Sequence, residues 1–175
     1  MEYIEQFKER LSDNLIQVCT QQGWLSGVLL NSPDIDGQWQ RFAPSYYGDS
    51  VREFNAYPEY AIACAGYLGM AVACLWDRDW VRFADEPYTY YQGERGFDDM
   101  DDHITGNILK DDGFPVQVMR LCSATALNAL RKEKAEPGSV TAYKLFLATV
   151  AVLYRIGAAV QLHRTGYRFE AVQLH

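Results

Sequence analysis

The sequence predicts an all-α fold, a single-domain helical bundle with an irregular, aromatic-rich crossover. Three observations carry this. Two long stretches, Ala61–Trp76 (AIACAGYLGMAVACLW) and Ala142–Leu162 (AYKLFLATVAVLYRIGAAVQL), are apolar on nearly every side of a helix and rich in small residues. Such helices need protein around most of their circumference, and their Ala and Gly positions let neighbouring backbones approach. Elsewhere apolar residues recur at steps of three and four, the helical period. No repeat, low-complexity tract or composition break divides the 175 residues, which at 49% hydrophobic and 22% charged suit one domain with a sizeable core.

Residues 3–22 form the first expected helix, with Ile4, Phe7, Leu11, Leu15, Val18 and Cys19 on one face and Gly23 as its stop. Its opening, MEYIEQFKERL, is charged from the second residue and reads as helix, not as a signal peptide. Residues 24–57 supply the crossover. NSPDIDG at Asn31–Gly37 is turn chemistry, Pro44 and Gly48 add breaks, and Trp39, Phe42, Tyr46, Tyr47, Phe54 and Tyr57 are anchors expected to cover a core edge. Pro58 suits the first turn of a helix running to about Trp76, where Gly66 and Gly69 are tolerated because a neighbour needs the space. Residues 80–97 admit a short hairpin or a short helix around Tyr88, Tyr90, Tyr91 and the Gly93–Gly96 turn. A helix is expected from Asp98 or Asp99 to Lys110–Gly113, the next from Phe114 to Lys132, and the last over 140–163 with Ser139 as its N-cap. Residues 167–174, YRFEAVQL, alternate loosely as a terminal strand or a tail.

Charge and cysteine content bound the function. Sixteen Lys and Arg against 23 Asp and Glu give a net charge of −7, so this acidic protein lacks the basic stripe a nucleic-acid binder needs. Cys19, Cys64, Cys74 and Cys122 fall at no CxxC spacing and sit in apolar helical patterns, so buried free thiols and a cytoplasmic, reducing location are expected. A membrane protein is not expected. Only 17 uncharged residues lie between Glu59 and Asp77, and the second apolar stretch carries Lys144 and Arg155.

The most suggestive chemistry is GFDDMDDHITGN at Gly96–Asn107. Asp98 and Asp102 are four apart, as are Asp99 and His103, so each pair shares a helix face. Such carboxylates and an imidazole suit a divalent metal, with Glu94, Asp85 or His163 as a further ligand. The competing reading is an acidic first turn offsetting the positive end of a helix. His163 and Arg164 favour a helix C-terminus, and pairing with Asp99 would make His163 a base. Arg155 is expected either on an exposed stripe with Lys144 or paired in a cleft, with Asp98–Asp102 as partners. No GxSxG elbow or phosphate-binding glycine loop is present, and Ser26, Ser45, Ser123 and Ser139 have ordinary roles.

Three functional expectations follow. Small-residue helices and excess aromatics point first to an interaction or structural protein that self-associates as a homo-oligomer or meets a protein partner. The acidic patch points to a metal-assisted hydrolase using Asp98, Asp99, Asp102 and His103. Six rings, Trp39, Tyr46, Tyr47, Tyr88, Tyr90 and Tyr91, point to a small-ligand binding module.

Overall fold

The computed structural model describes residues 2–53 and 58–168. Phe54 and Tyr57 of the crossover, residues 169–174 and His175 lie outside the described residues. Helices are α1 (Glu2–Gln21), α2 (Pro33–Ser50), α3 (Pro58–Phe83), α4 (Met100–His103), α5 (Gly113–Lys132) and α6 (Val140–Arg164). No strand occurs among the described residues, only an isolated bridge between Gly93 and Gly96.

The two apolar stretches pack on each other as the antiparallel pair α3 and α6. Their contact is backbone to backbone. A Cβ added to Gly69 would sit 1.9 Å from the Tyr154 carbonyl oxygen, and one added to Gly157 would sit 2.0 Å from that of Gly66. Side chains would hold these helices apart, so glycine at both positions sets the separation. Both helices are long and apolar enough to cross a bilayer, yet 78% and 83% of their most apolar windows are buried inside the protein. Neighbouring helices therefore account for their hydropathy.

Helix α1 packs on α6 and α5 and buries Phe7, Leu11, Leu15 and Cys19, the expected stripe. It stops at Gly23, where φ is +81 and the Trp24 N–H donates to the Cys19 carbonyl at 2.8 Å. Helix α5 lies on α3, with Met119 over Gly66, and also buries Val118 and Cys122. Its first turn is capped by Asp111, whose Oδ1 accepts from the N–H groups of Gly113 and Phe114. Ser139 caps α6 as expected, accepting from the Ala142 N–H at 3.1 Å.

The irregular crossover is corrected. Residues 33–50 form an 18-residue helix. Ser32 Oγ accepts from the Asp34 N–H at 3.1 Å and Pro33 occupies the first helical position, so the apparent turn SPD is N-cap chemistry. Gly37, Pro44 and Gly48 all face outward, while Ile35, Gln38, Phe42, Tyr46 and Ser50 form an unbroken buried stripe. The breakers thus cost helicity without interrupting packing. Tertiary bonds hold α2 in place: the Tyr46 hydroxyl donates to the Ala61 carbonyl, and that of Tyr154 to the Ile35 carbonyl at 2.7 Å.

Helix α3 runs past its expected end at Trp76. Asp79 leaves helical geometry (φ −168, ψ 82), and its Oδ1 accepts from the Arg82 N–H at 3.3 Å, starting one more turn. The hairpin-or-helix segment resolves into a 3-10 turn, Tyr88–Tyr91, and the Gly93–Gly96 turn. The expected continuous helix from Asp98 is broken up: a 3-10 turn at Phe97–Asp99, four residues of α4, then a π turn over Ile104–Ile108. Thr105 Oγ1 donates to the Asp101 carbonyl at 2.9 Å, and the Leu109 N–H reaches back five residues to Ile104 at 2.8 Å. Side chain and wide turn together displace the regular ladder.

Gly69→Ala and Gly157→Ala should each destabilise the fold by about 3 kcal/mol in urea unfolding, because backbone must move. Gly66→Ala should cost less, since its Cβ meets the flexible end of Met119. Gly37→Ala, with open space around it, should stabilise by about 0.5–1 kcal/mol.

Candidate functional site

Three helices contribute one face each to an open cleft of about 410 Å³. Glu5, Lys8, Glu9 and Ser12 of α1 follow the steps that align side chains on one helix side. Asp36, Trp39 and Gln40 come from α2, and Ala151, Val152 and Arg155 from α6. A stripe of α1 flanking its core stripe thus becomes one wall.

Arg155 lies on the cleft, with its Nε 3.6 Å from Asp36 Oδ1. Their side chains are 42% and 37% exposed, which makes this a screened pair of modest strength. The distance exceeds a hydrogen bond, and Nε itself is buried without a hydrogen-bond partner among the described residues. Burial raises the Asp36 pKa, with Arg155 opposing the shift. The expected pairing of Arg155 with Asp98–Asp102 is therefore corrected: the partner is Asp36, brought near by the helix that sequence reading missed. Lys144 is exposed on the same helix outside this cleft.

Trp39 lies against Tyr154, ring centroids 4.9 Å apart and stacked. The six rings singled out in the sequence do not surround this cleft; Trp39 alone lines it. Tyr46, Tyr88 and Tyr91 are buried, joined through Trp39–Tyr46 at 5.6 Å, Tyr46–Tyr88 at 6.3 Å and Tyr90–Tyr91 at 5.3 Å. Phe42 bridges Tyr88 and Tyr91 at 5.8 and 5.5 Å. These rings pin the 88–91 turn onto α2 as core.

The acidic patch is engaged locally. Asp99 Oδ1 accepts from Arg95 Nε at 2.9 Å and Nη2 at 2.6 Å, which holds its carboxyl below the usual range. Asp98 and Asp102 are exposed. His103 Nε2 lies 2.9 Å from the Tyr90 carbonyl oxygen, which can only accept, so this nitrogen carries the proton. Its Nδ1 then accepts from Asn107 Nδ2 at 3.0 Å. Both ring nitrogens are occupied, and among the described residues no three His, Cys, Asp or Glu side chains gather as metal ligands.

His163 does not meet Asp99. Its Nε2 lies 2.9 Å from Ser26 Oγ, a pair brought together by the loop after α1. A serine–histidine contact is the start of a nucleophile. Here the neighbouring Gly27 N–H, which would serve an oxyanion, is already given to Thr20 Oγ1 at 3.0 Å. The Arg164 side chain binds Asp111 Oδ2 and covers Phe114, guanidinium carbon 4.3 Å from the ring centroid. That end of α6 is thus an anchor for the α5 entry. No family model, curated protein or solved structure matches the chain.

Burial and the Arg168 charge lower the His163 pKa below the ordinary 6.5. The unfolded chain therefore binds this proton more readily, so the stability contribution is complete above pH 6.5 and lost as pH falls through the lower folded value. An NMR titration should place the His163 midpoint below 6.5. His163→Gln should flatten the loss of stability just below pH 6.5.

Proposed function

We propose that the protein is a small-ligand binding module whose ligand is an organic cation, an amine or guanidine, held in the cleft between α1, α2 and α6. The observation that carries this reading is the cleft's composition. Three carboxylates, Glu5, Glu9 and Asp36, line it with two cations, Lys8 and Arg155, and an indole, Trp39. A volume of about 410 Å³ falls within the range of small-molecule sites. An aromatic face beside carboxylates attracts a cation through the ring quadrupole and through charge. Asp36 supports the same preference: burial disfavours its anion, and Arg155 compensates only in part. The chain's net charge of −7 would raise the local concentration of a cation and repel an anion.

Self-association was expected from the small residues of the two apolar helices. Gly66, Gly69 and Gly157 find their close neighbours within one chain, so that feature calls for no second copy.

Calorimetric titration with agmatine, putrescine and choline, and with succinate as the anionic control, tests the reading. At least one cation should bind at millimolar concentration or below, and succinate should not. Trp39→Ala and Asp36→Asn should each weaken binding about tenfold. Absence of binding by all three cations, or binding that ignores both substitutions, would overturn it.

A further inference from the structure

Cys19 of α1 and Cys122 of α5 face each other in the core, both fully buried, with their Sγ atoms 3.5 Å apart and both thiols free. Each belongs to the inward stripe of its helix: Leu15 precedes Cys19 by one turn, and Val118 precedes Cys122 by one turn. The helices run antiparallel. At the other end of the pair the Tyr3 hydroxyl donates to Glu133 Oε1 at 2.6 Å, and Arg10 Nη2 lies 3.5 Å from Glu133 Oε2. The two cysteines are therefore held face to face by a helix pair tied elsewhere along its length. A disulfide needs the sulfurs to close by about 1.5 Å, a distance within the range of side-chain rotation. The other two thiols are placed differently. Cys64 is buried on α3, and Cys74 is half-buried with its sulfur 3.7 Å from Arg78 Nη2.

We propose that Cys19 and Cys122 are an oxidation site: exposed to a small-molecule disulfide such as oxidised glutathione, they close into an intramolecular disulfide that joins α1 to α5. One protein thiolate attacks a glutathione sulfur, forming a mixed disulfide and releasing one glutathione thiolate. The second protein thiolate then displaces the other glutathione. Two protein thiols are oxidised, one glutathione disulfide is reduced to two thiols, and the protons pass to the departing glutathione thiolates. The reaction belongs to the chain before α1 has seated, because in the closed fold both sulfurs are out of solvent. The contact with Cys19, and then burial, also push the Cys122 thiol up, away from the reactive thiolate. The same burial would protect the finished bond from reductant. The residues are 103 positions apart, so the cross-link closes a long loop and removes much freedom from the unfolded chain.

The test is to refold the full chain from denaturant in a glutathione redox buffer and, in parallel, in dithiothreitol. Thiols counted under denaturing conditions should fall from four to two in the first sample. The intact mass should drop by about 2 Da, and a proteolytic map should join Cys19 to Cys122. The oxidised protein should melt about 10 °C higher than the reduced one. Cys19→Ser should keep its remaining three thiols, whereas a Cys64→Ala, Cys74→Ala double variant should lose both of its own. Retention of four thiols, linkage through Cys64 or Cys74, or a cross-linked chain that melts lower than the reduced one would overturn the proposal.

Discussion

The close crossing of α3 and α6 is the constraint on which the other elements depend. At Gly69 and Gly157 the two backbones meet with no room for a methyl group. Such proximity brings many backbone and Cβ atoms into dispersion contact and leaves the pair apolar on its outer faces as well. Those faces must be covered, which explains why α1, α2 and α5 each carry an inward stripe directed at this pair. Met119 fills the space over Gly66 from α5, a long flexible side chain entering the gap that a missing one leaves.

Much of the architecture was legible because local chemistry and global packing agree. Phe7, Leu11 and Leu15 repeat at one turn each, Gly23 stops α1 with a left-handed backbone, and Ser139 caps α6. The crossover was misread because Pro33, Gly37, Pro44 and Gly48 are weighed one by one in a sequence, whereas in the fold all four share the solvent side. The period of Ile35, Gln38, Phe42 and Tyr46 was the better signal. The opposite error occurred after Asp98. There a helical pattern was real, but Thr105 and a wide turn broke the ladder, a competition that spacing alone does not reveal.

The cleft was less legible than the fold. Arg155 stood out as a charge in an apolar run, but its partner depends on α2, and no local pattern links Asp36 to it across more than a hundred residues. Glu5, Lys8 and Glu9 look like an ordinary solvated face until α2 and α6 are set beside them. Conversely, two members of the acidic patch that looked most chemical are engaged by near neighbours, Asp99 by Arg95 and His103 by Tyr90 and Asn107, while Asp98 and Asp102 stay exposed. Residue type and spacing identified groups able to do chemistry, and tertiary placement decided which ones were already engaged.

Tyr154 joins the helix crossing to Trp39 of the cleft. Its carbonyl oxygen lies where a Cβ on Gly69 would fall, its hydroxyl anchors α2 at Ile35, and its ring lies against Trp39. Ala151, Val152 and Arg155 of the cleft belong to that constrained helix, whereas the walls carrying Glu5, Lys8, Glu9 and Asp36 belong to α1 and α2. Those walls can be exchanged without disturbing the frame beneath them. Substitutions at Glu5, Lys8 and Glu9 would therefore alter the charge of the cleft while its position stays fixed.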